Sequence, residues 1–66
     1  MKLYVNGETR EFPNGLGLEN LIQQLRIKKE AVVAEVNRKI IQPTDRAGLE
    51  LAEGDQIDLI TFVGGG

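Results

Sequence analysis

The residues best placed to do chemistry in this chain are its last ones. The sequence ends Thr61-Phe62-Val63-Gly64-Gly65-Gly66. The glycines bring no acid, base or nucleophile; what they bring is the terminal carboxylate of Gly66. Activated as an acyl-adenylate, that carboxylate becomes an electrophile, and the covalent chemistry then rides on the backbone itself. Glycine suits such a position for two reasons. It adopts any φ while threading into a partner's cleft, and it has no Cβ to crowd the carbonyl carbon. Extended, Val63 to Gly66 reach roughly 13 Å at about 3.3 Å per residue, enough to enter a cleft while a folded body stays outside.

Other chemistry is poorly provided for. The 66 residues contain no cysteine and no histidine, which removes disulfides, thiolate metal sites and the commonest general base and metal ligand. Asp55 with Asp58, and Glu50 with Glu53, are the nearest thing to paired carboxylates. They fall around turns with no residue of suitable chemistry beside them, so they read as solvated turn residues, and neither a metal site nor a catalytic role is expected of them. Net charge is −2 with acids and bases interspersed, so there is no basic stripe for nucleic acid. No apolar run approaches a transmembrane helix and the N-terminus lacks the form of a signal peptide, so the expectation is a soluble cytoplasmic protein.

The elements that must position the terminus can be read from periodicity. Met1, Leu3 and Val5 alternate with Lys2 and Tyr4, as in a half-buried strand. Asn6-Gly7 predicts a type I′ hairpin turn, with a polar return strand over Glu8 to Phe12 near a sheet edge. Leu18, Leu21, Ile22 and Leu25 make one apolar helical stripe. Glu19 in the first turn and Arg26, Lys28 and Lys29 around the end complement the helix dipole, and Gly17 is only a fair cap. Ala31 to Val36 reads as a strand, its nearly continuous apolar run that of a strand covered on both sides or central in its sheet. Asn37-Arg38 is a turn and Lys39 to Ile41 a short strand. Pro43 to Gly48 is a loop with room for one 3₁₀ turn. Leu49 and Leu51 return to the core, Glu53-Gly54-Asp55 turns, and the last strand covers Gln56 to Phe62. Its side chains split by parity: Ile57, Leu59 and Thr61 on one face; Asp58, Ile60 and Phe62 on the other.

One helix with one stripe covers one face of one sheet, a two-layer α+β domain. The helix also supplies the crossover that a parallel pairing of first and last strands requires. The fold class expected is the β-grasp, or ubiquitin-like, roll: a mixed sheet of about five strands with one main helix on one face. Residues 1–63 form the domain and 64–66 a flexible glycine tail. Ile60 and Phe62, pointing away from the helix beside that tail, read as a docking patch, unless the segment from Gln42 to Leu51 covers them. Arg38 and Lys39 stand to add charge beside it.

The stretches "LYVNGE", "LENLIQQL", "VVAEVNRKII" and "LAEGDQIDLITFVGGG", in this order and over essentially the whole chain, resemble the ThiS family of sulfur carriers in thiamine biosynthesis. The resemblance implies that the chain is not itself an enzyme and binds no cofactor. A ThiF-type adenylyltransferase, using ATP and Mg²⁺, adenylates the Gly66 carboxylate. A persulfide sulfur donor replaces AMP, leaving a thiocarboxylate. The carrier then gives its sulfur to the thiazole ring on a thiazole synthase of the ThiG type. Gly65 and Gly66 match the family's required pair and Gly64 a third glycine of some members. Val63 is the apolar residue before them, and partner contacts are expected at Ile60, Phe62 and Val63. One departure is "NGLGLEN", where family members often carry a Thr or Ser cap. Competing readings are a sulfur carrier for molybdopterin or another sulfur pathway, a ubiquitin-like protein modifier, and a pure interaction domain. Prolines before the glycines, frequent in molybdopterin subunits, are absent, which favours thiazole. Deleting Gly65 and Gly66 is expected to abolish function while leaving the melting temperature nearly unchanged, because the tail buries nothing; thermal denaturation beside an activity assay checks both halves.

Overall fold

Alternation at the N-terminus places Leu3 and Val5 in the core of a computed structural model that describes residues 1–62. Strand β1 (Lys2–Val5) turns at Asn6-Gly7 into β2 (Glu8–Glu11). Both turn residues have positive φ, 50° and 83°, as a type I′ turn demands. All four β2 residues are exposed. Helix α1 (Leu18–Gln24) follows, then a 3₁₀ turn at Lys29–Ala31, β3 (Val32–Val36), β4 (Lys39–Ile41), a second 3₁₀ turn at Pro43–Asp45 and β5 (Gln56–Thr61). The sheet order is β2-β1-β5-β3-β4. β1 and β5 are parallel, pairing Tyr4 with Gln56 and Val5 with Ile57; the other neighbours are antiparallel. This is the expected mixed five-stranded sheet with one helix. The strand ends differ slightly from the sequence expectation. Ala31 belongs to the 3₁₀ turn rather than β3, and β2 and β5 stop one residue before Phe12 and Phe62.

The core lies between α1 and one face of the sheet. Leu18, Leu21 and Ile22 from the helix meet Leu3, Val5, Val32, Ala34, Ile57 and Leu59 from the strands, with Leu16 and Leu51 closing one end. β3 is interior in the sheet yet covered on one face only: Val32 and Ala34 are buried, whereas Val33 and Glu35 are half-exposed. Its continuous apolar run therefore reflects its central place, not a layer on each side.

The helix ends earlier than its basic residues suggested, and no cation lies in its last turn. The reason is a Schellman-type stop. Arg26 takes a left-handed conformation, φ 59°. Its N–H donates to the Gln23 carbonyl at 3.0 Å, and Ile27 N–H donates to the Ile22 carbonyl at 3.2 Å. The half-buried Ile27 joins the core that contains Ile22, so burial of an isoleucine turns the chain where glycine usually does. At the other end Gly17 is the N-cap, with no side-chain cap bond. A Cβ there would stand 3.3 Å from the Leu49 carbonyl oxygen and 3.2 Å from Asn20 Oδ1, so a Thr or Ser cap would crowd the crossing segment and require Leu49 or Asn20 to give by a few tenths of an ångström.

That crossing segment lies against the helix entry. Leu18 N–H donates to Leu49 O and Leu51 N–H to Leu16 O, both at 2.9 Å. Arg46 anchors it. The side chain is 3% exposed and donates from Nη1 to Lys29 O (3.1 Å) and from Nη2 to Val32 O (2.7 Å); Nε has no partner among the described residues. Arg46→Ala removes two charge-assisted bonds and the packing of the stem, and a loss of about 2–4 kcal/mol is expected in urea denaturation. Arg26→Gly relieves the left-handed backbone and is expected to raise stability by about 0.5–1 kcal/mol in the same measurement.

Candidate functional site

β5 presents its even-numbered residues away from the helix. Ile57 and Leu59 are buried, while Ile60 is 51% and Phe62 60% exposed. The segment from Gln42 to Leu51 does not cover them, because its hydrogen bonds bind it to the helix entry and its anchor Arg46 to the start of β3. Among the described residues, therefore, nothing covers the outer face of the sheet beside the end of β5. Val63, Gly64, Gly65 and Gly66, expected to dock and to carry the reactive carboxylate, lie outside the described residues, and so does the expected boundary between domain and tail.

The face is larger than the two residues expected from β5. Val33 on β3 is directly opposite Ile60. Ile40 on β4, 61% exposed, is opposite Glu35. Tyr4 on β1 stands opposite Gln56 and is also exposed. Parity along β3 and β4 would have found Val33 and Ile40; only the order of the strands shows that they flank Ile60. An open groove of about 500 Å³ runs from this face toward the second 3₁₀ turn, between Val33, Ile40, Pro43 and Phe62, with Lys29 and Thr44 on its wall.

Two acids share the face with these apolar groups. The register sets Glu35 directly opposite Asp58. Like charges so placed cost about 0.2–1 kcal/mol. Among the described residues the Asp58 side chain accepts only a long bond from Gln56 Nε2, 3.4 Å. The other acids singled out in the sequence behave differently. Asp55 accepts from Ala52 N–H at 2.8 Å and from Asn37 Nδ2 at 3.0 Å, and Glu53 Oε1 accepts from Lys2 N–H at 2.9 Å. These carboxylates brace the turn before β5. Among the described residues no group of three or more acids clusters as metal ligands would. Arg38 and Lys39 are exposed at the β3–β4 turn. No helix of the described residues is long and apolar enough to cross a membrane.

A mixed sheet with parallel β1 and β5 at its middle, one helix across one face and an open opposite face define a ubiquitin-like β-grasp domain. Residues 3–66 match the model of the ThiS family, and the chain belongs to that family. The fold superposes on the crystal structure of a thiamine biosynthesis protein (ThiS) from Geobacter metallireducens with a TM-score of 0.85, at 26% identity and with full coverage of both chains. A solution structure of a thiamine biosynthesis protein from the same organism gives a TM-score of 0.82 at 28% identity, covering all of this chain and 88% of that one. Among curated proteins, thiazole synthases from Paramagnetospirillum magneticum and Magnetococcus marinus are 33% and 35% identical over 66 residues. The chain is matched over its whole length, yet it spans only 20% of each of those proteins.

The two faces of β5 predict opposite responses to the same kind of change. Phe62→Asp is expected to leave stability within about 0.5 kcal/mol of the parent, as for other exposed positions. Leu59→Ala is expected to cost about 2–4 kcal/mol. Parallel chemical denaturation of the two variants checks the assignment of faces.

Proposed function

We propose that this chain is a sulfur carrier for the thiazole ring of thiamine, with the Gly66 carboxylate as its reactive group. The observation that carries the reading is the family match, which runs through the final glycines. A ThiF-type adenylyltransferase attaches AMP from ATP to that carboxylate, with Mg²⁺ held by the enzyme, and pyrophosphate leaves. The terminal sulfur of a donor persulfide attacks the carbonyl carbon and AMP departs. A thiol then cleaves the sulfur–sulfur bond, and the thiocarboxylate is freed. The carrier passes this sulfur to a thiazole synthase. That partner is supported by the curated relatives: a segment similar to this entire chain is built into longer proteins named thiazole synthase. The chain supplies no catalytic side chain to these steps; it supplies a carboxylate free of side-chain hindrance and a surface by which partners hold it.

Ile60, Phe62 and Val63 are the proposed docking contacts nearest the tail, and Gly64 to Gly66 thread into the partners' active sites. Exposure of Ile60 and Phe62 on the uncovered face supports this. Incubation with ATP, Mg²⁺, the activating enzyme and a sulfur source is expected to raise the intact mass by about 16 Da, the difference between sulfur and oxygen, localised to Gly66. An unchanged mass with an active partner enzyme overturns the carrier reading. Isopeptide linkage of Gly66 to lysines of other proteins identifies a modifier instead.

A further inference from the structure

The outer face of the sheet carries charge where a purely apolar docking patch would not. In the antiparallel β3–β5 ladder, Phe62 N–H donates to Ala31 O and Asn37 N–H to Gln56 O. These bonds fix the alternation, so that Glu35 and Asp58 form a closely hydrogen-bonded pair of the ladder. Their Cβ atoms then stand about 5 Å apart. Ile60 and Val33 lie next along the strands on the same face, and Ile40 lies beside Glu35 on β4. The nearest cation by register, Arg38, sits in the β3–β4 turn; among the described residues the one side-chain bond to either carboxylate comes from Gln56.

A partner that covers both Ile60 and Ile40 also covers Glu35, which lies between them, and meets Asp58, the outward-facing neighbour of Ile60 along β5. Removing two carboxylates from water without a counter-charge is strongly unfavourable. The covering surface must therefore bring a cation, and the planar fork of arginine reaches two adjacent carboxylates better than the point charge of lysine. We infer that this face receives the thiazole synthase, and that the synthase places an arginine, framed by apolar side chains, over Glu35 and Asp58. The inference rests on the sulfur-carrier reading above. The choice of thiazole synthase over the activating enzyme follows from the relatives that carry this domain inside a longer chain of that name. In those proteins a segment similar to this chain is part of the same polypeptide as the rest of the synthase.

The test is the double variant Glu35→Gln, Asp58→Asn, measured against purified thiazole synthase of the same organism by stopped-flow and calorimetric titration across a salt series. Affinity is expected to fall at least about tenfold, and the association rate to lose most of its dependence on salt. The melting temperature of the free variant is expected to rise by roughly 1–6 °C, because the opposed charges are gone. Weaker binding together with higher stability distinguishes a docking role from simple damage to the fold. If wild-type and variant bind the synthase equally well, the inference is overturned. Weakening seen only toward the activating enzyme overturns it too. Wild-type protein that gains the mass of sulfur yet does not bind the synthase refutes the docking assignment alone. Wild-type protein that neither gains that mass nor binds refutes the carrier reading beneath it.

Discussion

Every backbone pairing that joins the two halves of this sheet passes through β5. The β1–β2 hairpin and the β3–β4 hairpin are local structures, but each reaches the other only across this last strand. The parallel contact with β1 is short, with two residue pairs in register. Two asparagines lengthen the grip. Asn6 N–H donates to Ile57 O at 2.9 Å, and its side-chain oxygen accepts from Leu59 N–H at 2.7 Å. Asn37 does the same for the other hairpin, donating to Gln56 O and accepting from Gln56 N–H. Each turn residue thus fixes a hairpin and also holds β5, while Ile57 and Leu59 seal the strand to the helix.

This arrangement explains why one face of the domain is free. A single seven-residue helix has apolar surface for one side of the sheet. The long crossing segment, the other candidate to cover the back, is drawn to the helix side by Arg46 and by its two bonds to the helix entry. The outer face is left to Tyr4, Val33, Ile40, Ile60 and Phe62 with the acids among them. A chain that buries about 60% of its unfolded surface has little apolar area to spare. Large side chains left in solvent on one contiguous face are then more informative than the same residues scattered singly.

Much of this was legible in the residues. Asn-Gly, the 3–4 spacing from Leu18 to Leu25 and the parity of Gln56 to Phe62 each act through local geometry, so the sequence alone placed the hairpin, the helix and the two faces of β5. The misses came from long-range effects. The stop at Arg26 is set by Ile27 finding Ile22 and the core, without the glycine that usually marks such an end. Arg46 falls in a stretch that reads only as loop, and nothing in its local spacing points to the carbonyls of Lys29 and Val32 that it binds. The opposition of Glu35 and Asp58, 23 positions apart in the chain, is a matter of register, and periodicity within one strand carries no trace of it. The terminal glycines, which the sequence marks as a reactive end, lie outside the described residues.

The parallel course of β1 and β5 also has a mechanical side. The chain enters the sheet at Lys2 and leaves it after Thr61 at opposite ends of two strands running in the same direction. A pull on the backbone beyond Phe62, resisted at the N-terminus, slides the two strands along one another and loads their hydrogen bonds together. It does not peel them apart one at a time. A domain handled by its end is in this way strongest along the line on which it is drawn.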